Sequence, residues 1–183
     1  MNYLIRKEKS QDYPKVREVI KSAFSREGKD LVFNEWVLVE KIRESEYYIN
    51  DLSLVAEAEG EILGHIMFTP MKIEGDSIPF DSLALAPVAV HKDFQKRGIG
   101  KHLVRAGIEN AKNLGFKSII VMGDPEYYTK FGFEKASKWK IGTTNDFNDN
   151  CLFALELVEK GLVGVSGIIE YCPPFYNEKG ELI

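Results

Sequence analysis

Between residues 83 and 122 the chain reads apolar strand, glycine turn, striped helix, apolar strand, and that order leaves few folds open. The run "LALAPVAV" (residues 83–90) has strand length. From Gly98 a helix places Ile99, Leu103, Ala106, Ala111 and Leu114 on one stripe, with Gly115 suited to the C′ position. "FKSIIVM" then reads as a second buried strand. A helix crossing between two strands of one sheet returns the chain to its starting edge, so those strands must run parallel.

The remaining elements are arranged around that unit. Residues 3–7 read as a short strand. Ser10 is the expected N-cap of a helix whose apolar residues Tyr13, Val16, Val19, Ile20, Ala23 and Phe24 keep the 3.6 period. A second helix is expected over roughly 30–44, with Trp36, Val39 and Ile42 among its apolar positions. "LSLVAEAE" and "EILGHIMFTPMKIE" flank Gly60 as a hairpin, and Gly75-Asp76 opens another into a strand over about 78–90. Pro87 lies inside that strand and has no N–H to give, so the ladder should be interrupted there. Asp124 and Pro125 read as N-cap and N1 of a short helix that Gly132 ends. Strands near 133–139 and 151–158 and an irregular Gly- and Pro-rich tail complete an order βααβββαβαββ. The expected class is α/β (α+β): one domain over residues 1–183, with a mixed, mostly antiparallel sheet, a parallel pair within it and helices flanking.

A chain of 183 residues can bury a core without staples. The net charge of −4 argues against a nucleic-acid backbone as partner. Cys151 and Cys172 are far apart with no metal-ligand spacing nearby, so neither a disulfide framework nor a metal site is expected, and a reducing compartment is. No signal-type apolar segment opens the chain. No apolar run approaches the ~18 residues of a membrane span. The expectation is a cytoplasmic protein with no membrane partner.

The turn "HKDFQKRGIGKHLV" (residues 91–104) is where chemistry enters. A helix N-terminus offers unpartnered N–H groups and positive potential, and glycine lets an anion approach the backbone. A phosphate-binding P-loop would need glycine at Gln95 and a hydroxyl residue at His102. A dinucleotide fingerprint would need a small residue at Leu103. Both patterns fail, and these residues alone still allow a plain turn.

"QKRGIG" (residues 95–100) resembles the Q/R-x-x-G-x-G/A pyrophosphate loop of the GNAT superfamily of acetyl-CoA-dependent N-acetyltransferases. "LAPVAVHKDFQKRGIGKHLV" is similar to that family's strand, loop and helix, and "YYTKFGF" (residues 127–133) resembles its second motif. The element order agrees over nearly the whole chain. "GDPEYYTKFGF" with "FALEL" and "GVSGIIEY" is similar to a bacterial branch of small predicted acetyltransferases. The resemblance implies the acyl-CoA N-acyltransferase fold, with the parallel pair splayed beyond Pro87 to admit the pantetheine arm.

It implies backbone bonds from Val88, Ala89 and Val90 to that arm, with the Val88 N–H facing the oxyanion. Gln95, Lys96, Arg97, Gly98, Ile99, Gly100 and Lys101 would surround the diphosphate. Acetyl-CoA is the implied cosubstrate, with no metal, and an amine attacks the thioester directly. Tyr128 occupies the general-acid position beside the cofactor, with Tyr127 as fallback. Asp81 is the acid available for the base on that strand. His65 reads as a structural histidine, His91 and His102 as loop neighbours, and Glu35 and Glu40 as residues of a solvated helix face. "GDP" stands where the family often has an asparagine after its fifth strand. The acceptor amine is not legible, the tail could serve a homodimer, and a non-catalytic acyl-CoA-binding or sensing domain is the alternative.

Overall fold

The computed structural model describes residues 2–24, 35–76, 78–144 and 149–183. Four α-helices stand among them: α1 (Tyr13–Phe24), α2 (Glu35–Arg43), α3 (Ile99–Asn113) and α4 (Pro125–Tyr128). Nine strands do too: β1 (Leu4–Lys7), β2 (Ser53–Ala58), β3 (Glu61–Glu74), β4 (Phe80–Val90), β5 (Ser118–Met122), β6 (Glu134–Lys135), β7 (Ile141–Gly142), β8 (Leu152–Glu156) and β9 (Gly167–Tyr171). They form one mixed sheet in the order β1-β2-β3-β4-β5-β8-β6, with β9 paired to β3 and β7. Residues 30–34 of the expected second helix lie outside the described residues.

The crossover is as the sequence requires. β4 and β5 run parallel, with Leu83 opposite Ile119 and Ala84 opposite Ile120. That register ends at Ala84, three residues before Pro87, while β4 itself continues to Val90. The hairpin at Gly60 is equally direct. Glu59 and Gly60 both take left-handed φ, the two-residue turn whose twist matches antiparallel strands.

By compactness the chain divides into two units, interleaved in sequence. The first comprises Met1–Phe68, Ala86–Gly107 and Pro174–Ile183. Its core gathers Val16, Val19 and Ile20 of α1, Leu38, Val39 and Ile42 of α2, Leu54 and Val55 of β2, Ile66 of β3, and Ile99, Leu103 and Val104 of α3. Gly64 of β3 leaves room for that packing. A Cβ there would lie 2.9 Å from Leu103 and 3.0 Å from the Ala89 carbonyl, so the glycine sets how closely α3 approaches β3 and β4. The second unit comprises Thr69–Leu85 and Ile108–Pro173. Its core is built from Leu83, Ile119, Ile120, Val121, Phe133, Leu152 and Phe153.

Several expectations are corrected. The first helix is not capped by Ser10. Residues Ser10–Asp12 form a 3-10 turn, and Asp12 accepts the Lys9 N–H at 2.8 Å while Arg6 grips both its oxygens. Leu114 leaves the α3 stripe and is exposed, because the helix ends at Asn113. The strand expected at 133–139 is only Glu134–Lys135, followed by a 3-10 turn over Ala136–Trp139. The tail is not wholly irregular: β9 pairs antiparallel with β3 from Met71↔Tyr171 to Glu74↔Ile168. Only Ile169 of its five residues is buried, so no alternating pattern advertises it.

Candidate active site

In the first unit, β4 ends in Val88, Ala89 and Val90, of which Ala89 is buried and the valines half-buried. The His91 N–H donates to the Leu63 carbonyl at 2.9 Å, which fixes the strand's last residue against β3. A 3-10 turn over Lys92–Phe94 follows, and its Lys92 N–H donates to Ser22 Oγ at 3.2 Å. The Gln95 side-chain nitrogen donates to the Val90 carbonyl at 3.1 Å. That bond braces the turn against the strand.

Lys96, Arg97 and Gly98 are exposed, and Lys96 and Gly98 take left-handed φ of 60° and 83°. Left-handed residues on both sides of Arg97 curl the turn, and such curls gather successive N–H groups on one side. An added Cβ at Gly98 would meet nothing within 4 Å. The glycine is therefore required by backbone conformation, not by a neighbouring protein atom. α3 makes its first bond from the His102 N–H to the Gly98 carbonyl, at 3.1 Å. The N–H groups of Ile99, Gly100 and Lys101 precede that bond and have no partner within the helix. No acidic side chain occupies the first turn of α3, so its dipole is not neutralised there.

Charge is arranged around those amides. The Arg97 guanidinium lies 5.3 Å from the centre of the Phe94 ring, which the His91 ring also touches at 5.8 Å. Phe94 was not singled out in the sequence, yet it orients the loop's arginine. His102 is held by a 2.5 Å bond between its Nδ1 and the Tyr3 hydroxyl. The arrangement can bind a polyphosphate through backbone amides, with three exposed cations at Lys96, Arg97 and Lys101.

In the second unit, β5 leads through Gly123 to α4. Asp124 caps α4 by accepting the Glu126 N–H at 2.9 Å, and Pro125 starts it, as expected. Tyr128 is 7% exposed. Its ring meets Tyr127 edge-on at 5.1 Å and Phe133 at 5.6 Å. Burial pushes the Tyr128 phenol well above the ordinary tyrosine range, with smaller contributions from Tyr127 and Asp124. The group keeps its proton at neutral pH and can donate it but not accept one. Tyr127 is half-buried, stacks on Phe131 at 5.3 Å, and is likewise shifted up by burial.

Asp81 lies in the second unit, near the start of β4. Its exposed carboxylate pairs with Lys72 at 3.0 Å, beside a surface depression of about 420 Å³ that Leu114 and Phe116 also line.

The other acids and His65 also find definite places. Glu40 pairs with Arg17, whose Nε donates at 2.6 Å. One oxygen of Glu35 is buried without a hydrogen-bond partner among the described residues, and burial pushes its pKa up, so Glu35 is not part of a solvated face. His65 is fully buried in a cluster with Glu8, Ser53, Tyr48 and Arg43. Its Nε2 lies 3.1 Å from Ser53 Oγ and 3.3 Å from Glu8, Glu8 accepts from Ser53 at 2.9 Å and Tyr48 at 3.1 Å, and Arg43 pairs with it. His65 Nδ1 has no hydrogen-bond partner in that cluster. Burial alone would raise the Glu8 pKa, but bonds and charge from His65 and Arg43 outweigh it and hold the group at about 2.

An acid-stability prediction follows. The native pKa of Glu8 lies below its ordinary value of about 4.3, so its stabilisation is full above that pH and is lost as pH falls toward 2. The loss should be on the order of 3 kcal/mol across that window. Urea unfolding measured from pH 7 to 2.5 should show it, and Glu8→Gln should flatten the acid limb. An unchanged limb in the variant would mean that Glu8 does not carry the effect.

Comparison with known proteins places this geometry. The sequence model of the acetyltransferase (GNAT) family matches residues 7–133. The chain is 28% identical to the uncharacterized N-acetyltransferase YhbS of Escherichia coli (strain K12), over 92% of this chain and 95% of that one. It is 36% identical to the uncharacterized N-acetyltransferase YjhQ of the same organism, over 67% of this chain and 65% of that one. The crystal structure of E. coli YhbS in complex with CoA superposes with a TM-score of 0.85 at 27% identity, covering 96% of this chain and 92% of that one. A GNAT family acetyltransferase from Brucella melitensis, solved with acetyl-CoA, gives a TM-score of 0.75 at 30% identity, covering 95% and 98%.

Proposed function

The chain belongs to the acetyltransferase (GNAT) family, and on that premise we propose that it moves the acetyl group of acetyl-CoA to a primary amine by direct attack in a ternary complex. On this reading residues 1–183 are one N-acetyltransferase domain, supported by the family match over residues 7–133. The observation that carries the reading is the exposed turn at residues 95–98, curled by two left-handed residues onto the unneutralised N-terminus of α3. Two similar proteins were solved with CoA and with acetyl-CoA.

The roles follow from the chemistry of each group. Amides of residues 96–101 receive the diphosphate, and Lys96, Arg97 and Lys101 add charge to it. Backbone groups of Val88, Ala89 and Val90 pair with the pantetheine arm; the Val90 carbonyl does so with one lone pair, since Gln95 takes the other. The Val88 N–H stabilises the oxyanion formed when the amine attacks the thioester carbonyl. Collapse of that intermediate breaks the C–S bond and releases a thiolate. A thiol of ordinary pKa about 8.5 becomes a stronger base in dry surroundings, and Tyr128 supplies the proton. The acceptor attacks as the free amine, the extra proton on its nitrogen passes to water as the amide forms, and water returns a proton to Tyr128.

The test is a thiol-release assay with acetyl-CoA over polyamines, aminoglycosides, amino acids, peptide N-termini and lysine peptides. At least one class should raise release above the amine-free rate. CoA binding with no stimulated release by any class would favour a binding or sensing domain instead.

A further inference from the structure

Gly123 stands at the exit of β5 for a reason its own backbone does not supply. Its φ lies outside the left-handed region, so an L-residue could adopt the conformation without strain. What a side chain could not do is fit. A Cβ at this position would lie 2.4 Å from Tyr128 Cε2, 3.1 Å from Cδ2 and 3.4 Å from Cζ. Carbon atoms ordinarily rest about 3.5–4.0 Å apart, so the ring would have to retreat by roughly 1 Å.

The ring is not free to do so. It is 7% exposed, with Tyr127 edge-on at 5.1 Å and Phe133 at 5.6 Å. The glycine is equally fixed, because its N–H donates to the Cys151 carbonyl at 2.9 Å. The turn joining them is held too: the Tyr128 N–H donates to the Asp124 carbonyl at 3.1 Å, and the Asp124 side chain caps α4.

We infer that Gly123 is a positioning residue for the general acid: its bare backbone is the seat against which the Tyr128 ring is set, and so fixes where the phenol oxygen lies. The inference rests on the reading of Tyr128 as the acid. It also gives a steric reason for "GDP" in place of an asparagine, since any Cβ at this position evicts the ring.

Gly123→Ala should lower kcat by about 10- to 100-fold, the scale of a 1 Å misplacement, with KM for acetyl-CoA and the Kd of CoA unchanged within about twofold. In that background Tyr128→Phe should cost only a few-fold more, because both changes act through one hydroxyl. A kcat within about twofold of wild type, or losses that multiply fully, would overturn the inference. Thermal unfolding supplies a readout independent of activity. Gly123→Ala should lower Tm by several degrees in the wild-type chain and by little in a Tyr128→Ala background, where no ring remains to displace. Equal losses in both backgrounds would remove the seat. Tyr128→Phe alone separates the two claims. If it leaves kcat intact, the acid assignment fails, while the unfolding comparison still decides whether Gly123 seats the ring.

Discussion

Replacing Tyr128 with phenylalanine is expected to slow thiol release on the order of 10²–10⁴-fold, the usual cost of a lost general acid. The substitution isolates the hydroxyl. The ring contacts to Tyr127, Phe133 and the Gly123 backbone survive, and the hydroxyl makes no hydrogen bond among the described residues that folding would miss. CoA affinity and Tm should therefore stay near wild type, and the loss should fall on kcat. Because burial raises the phenol's pKa, wild-type activity should not decline through loss of this proton at the pH where a free tyrosine ionises, about 10. Full turnover by Tyr128→Phe would exclude the phenol from the chemistry. The half-buried Tyr127 would then be the next residue to replace.

The second large effect is on binding. Gly98→Glu should weaken CoA binding by about 100-fold or more in a protein that still folds. Space for the side chain exists, since a Cβ at Gly98 has no neighbour within 4 Å. The left-handed φ of 83° costs a non-glycine residue about 1–2 kcal/mol, a cost that Gly98→Ala shares. The glutamate adds a negative charge over amides that, on this reading, hold a diphosphate. At an effective dielectric of 20, like charges about 5 Å apart repel by roughly 3 kcal/mol, about a hundredfold in affinity. Isothermal titration of both variants separates the contributions: Gly98→Ala reports the backbone cost and the excess in Gly98→Glu reports repulsion. Raising the salt should narrow the gap. Equal affinities for the two variants would mean that no anion sits at this turn.

How much of this was legible in the chain depends on how local the cause is. The parallel pair follows from a strand, a striped helix and a strand in succession. The hairpin at Gly60 and the cap at Asp124 are likewise written in adjacent residues. The loop and Tyr128 are legible as motifs, and the left-handed backbone at Lys96 and Gly98 and the burial of Tyr128 are what the fold adds to them. The other features depend on which groups meet in three dimensions, at long or short separation along the chain. β9 pairs with β3 across nearly a hundred residues and buries a single side chain. Glu8 looks like any acid after an edge strand until Arg43, Ser53 and His65 close around it. Gln95 belongs to the loop motif, but only the fold shows its amide turned back on Val90. Asp81 stands on β4 as the sequence has it, but its ion pair with Lys72 appears only in the fold. Gly123 enters the sequence reading only as the first residue of "GDP", and its contact with a ring five residues on appears only in three dimensions.

The central claim concerns main-chain amides, and amide NMR observes them directly. In a 15N-labelled sample titrated with CoA, the largest shifts should fall on the N–H signals of residues 96–101 and 88–90, with the Arg97 side chain following. Shifts concentrated elsewhere, or a spectrum unmoved at millimolar CoA, would contradict it.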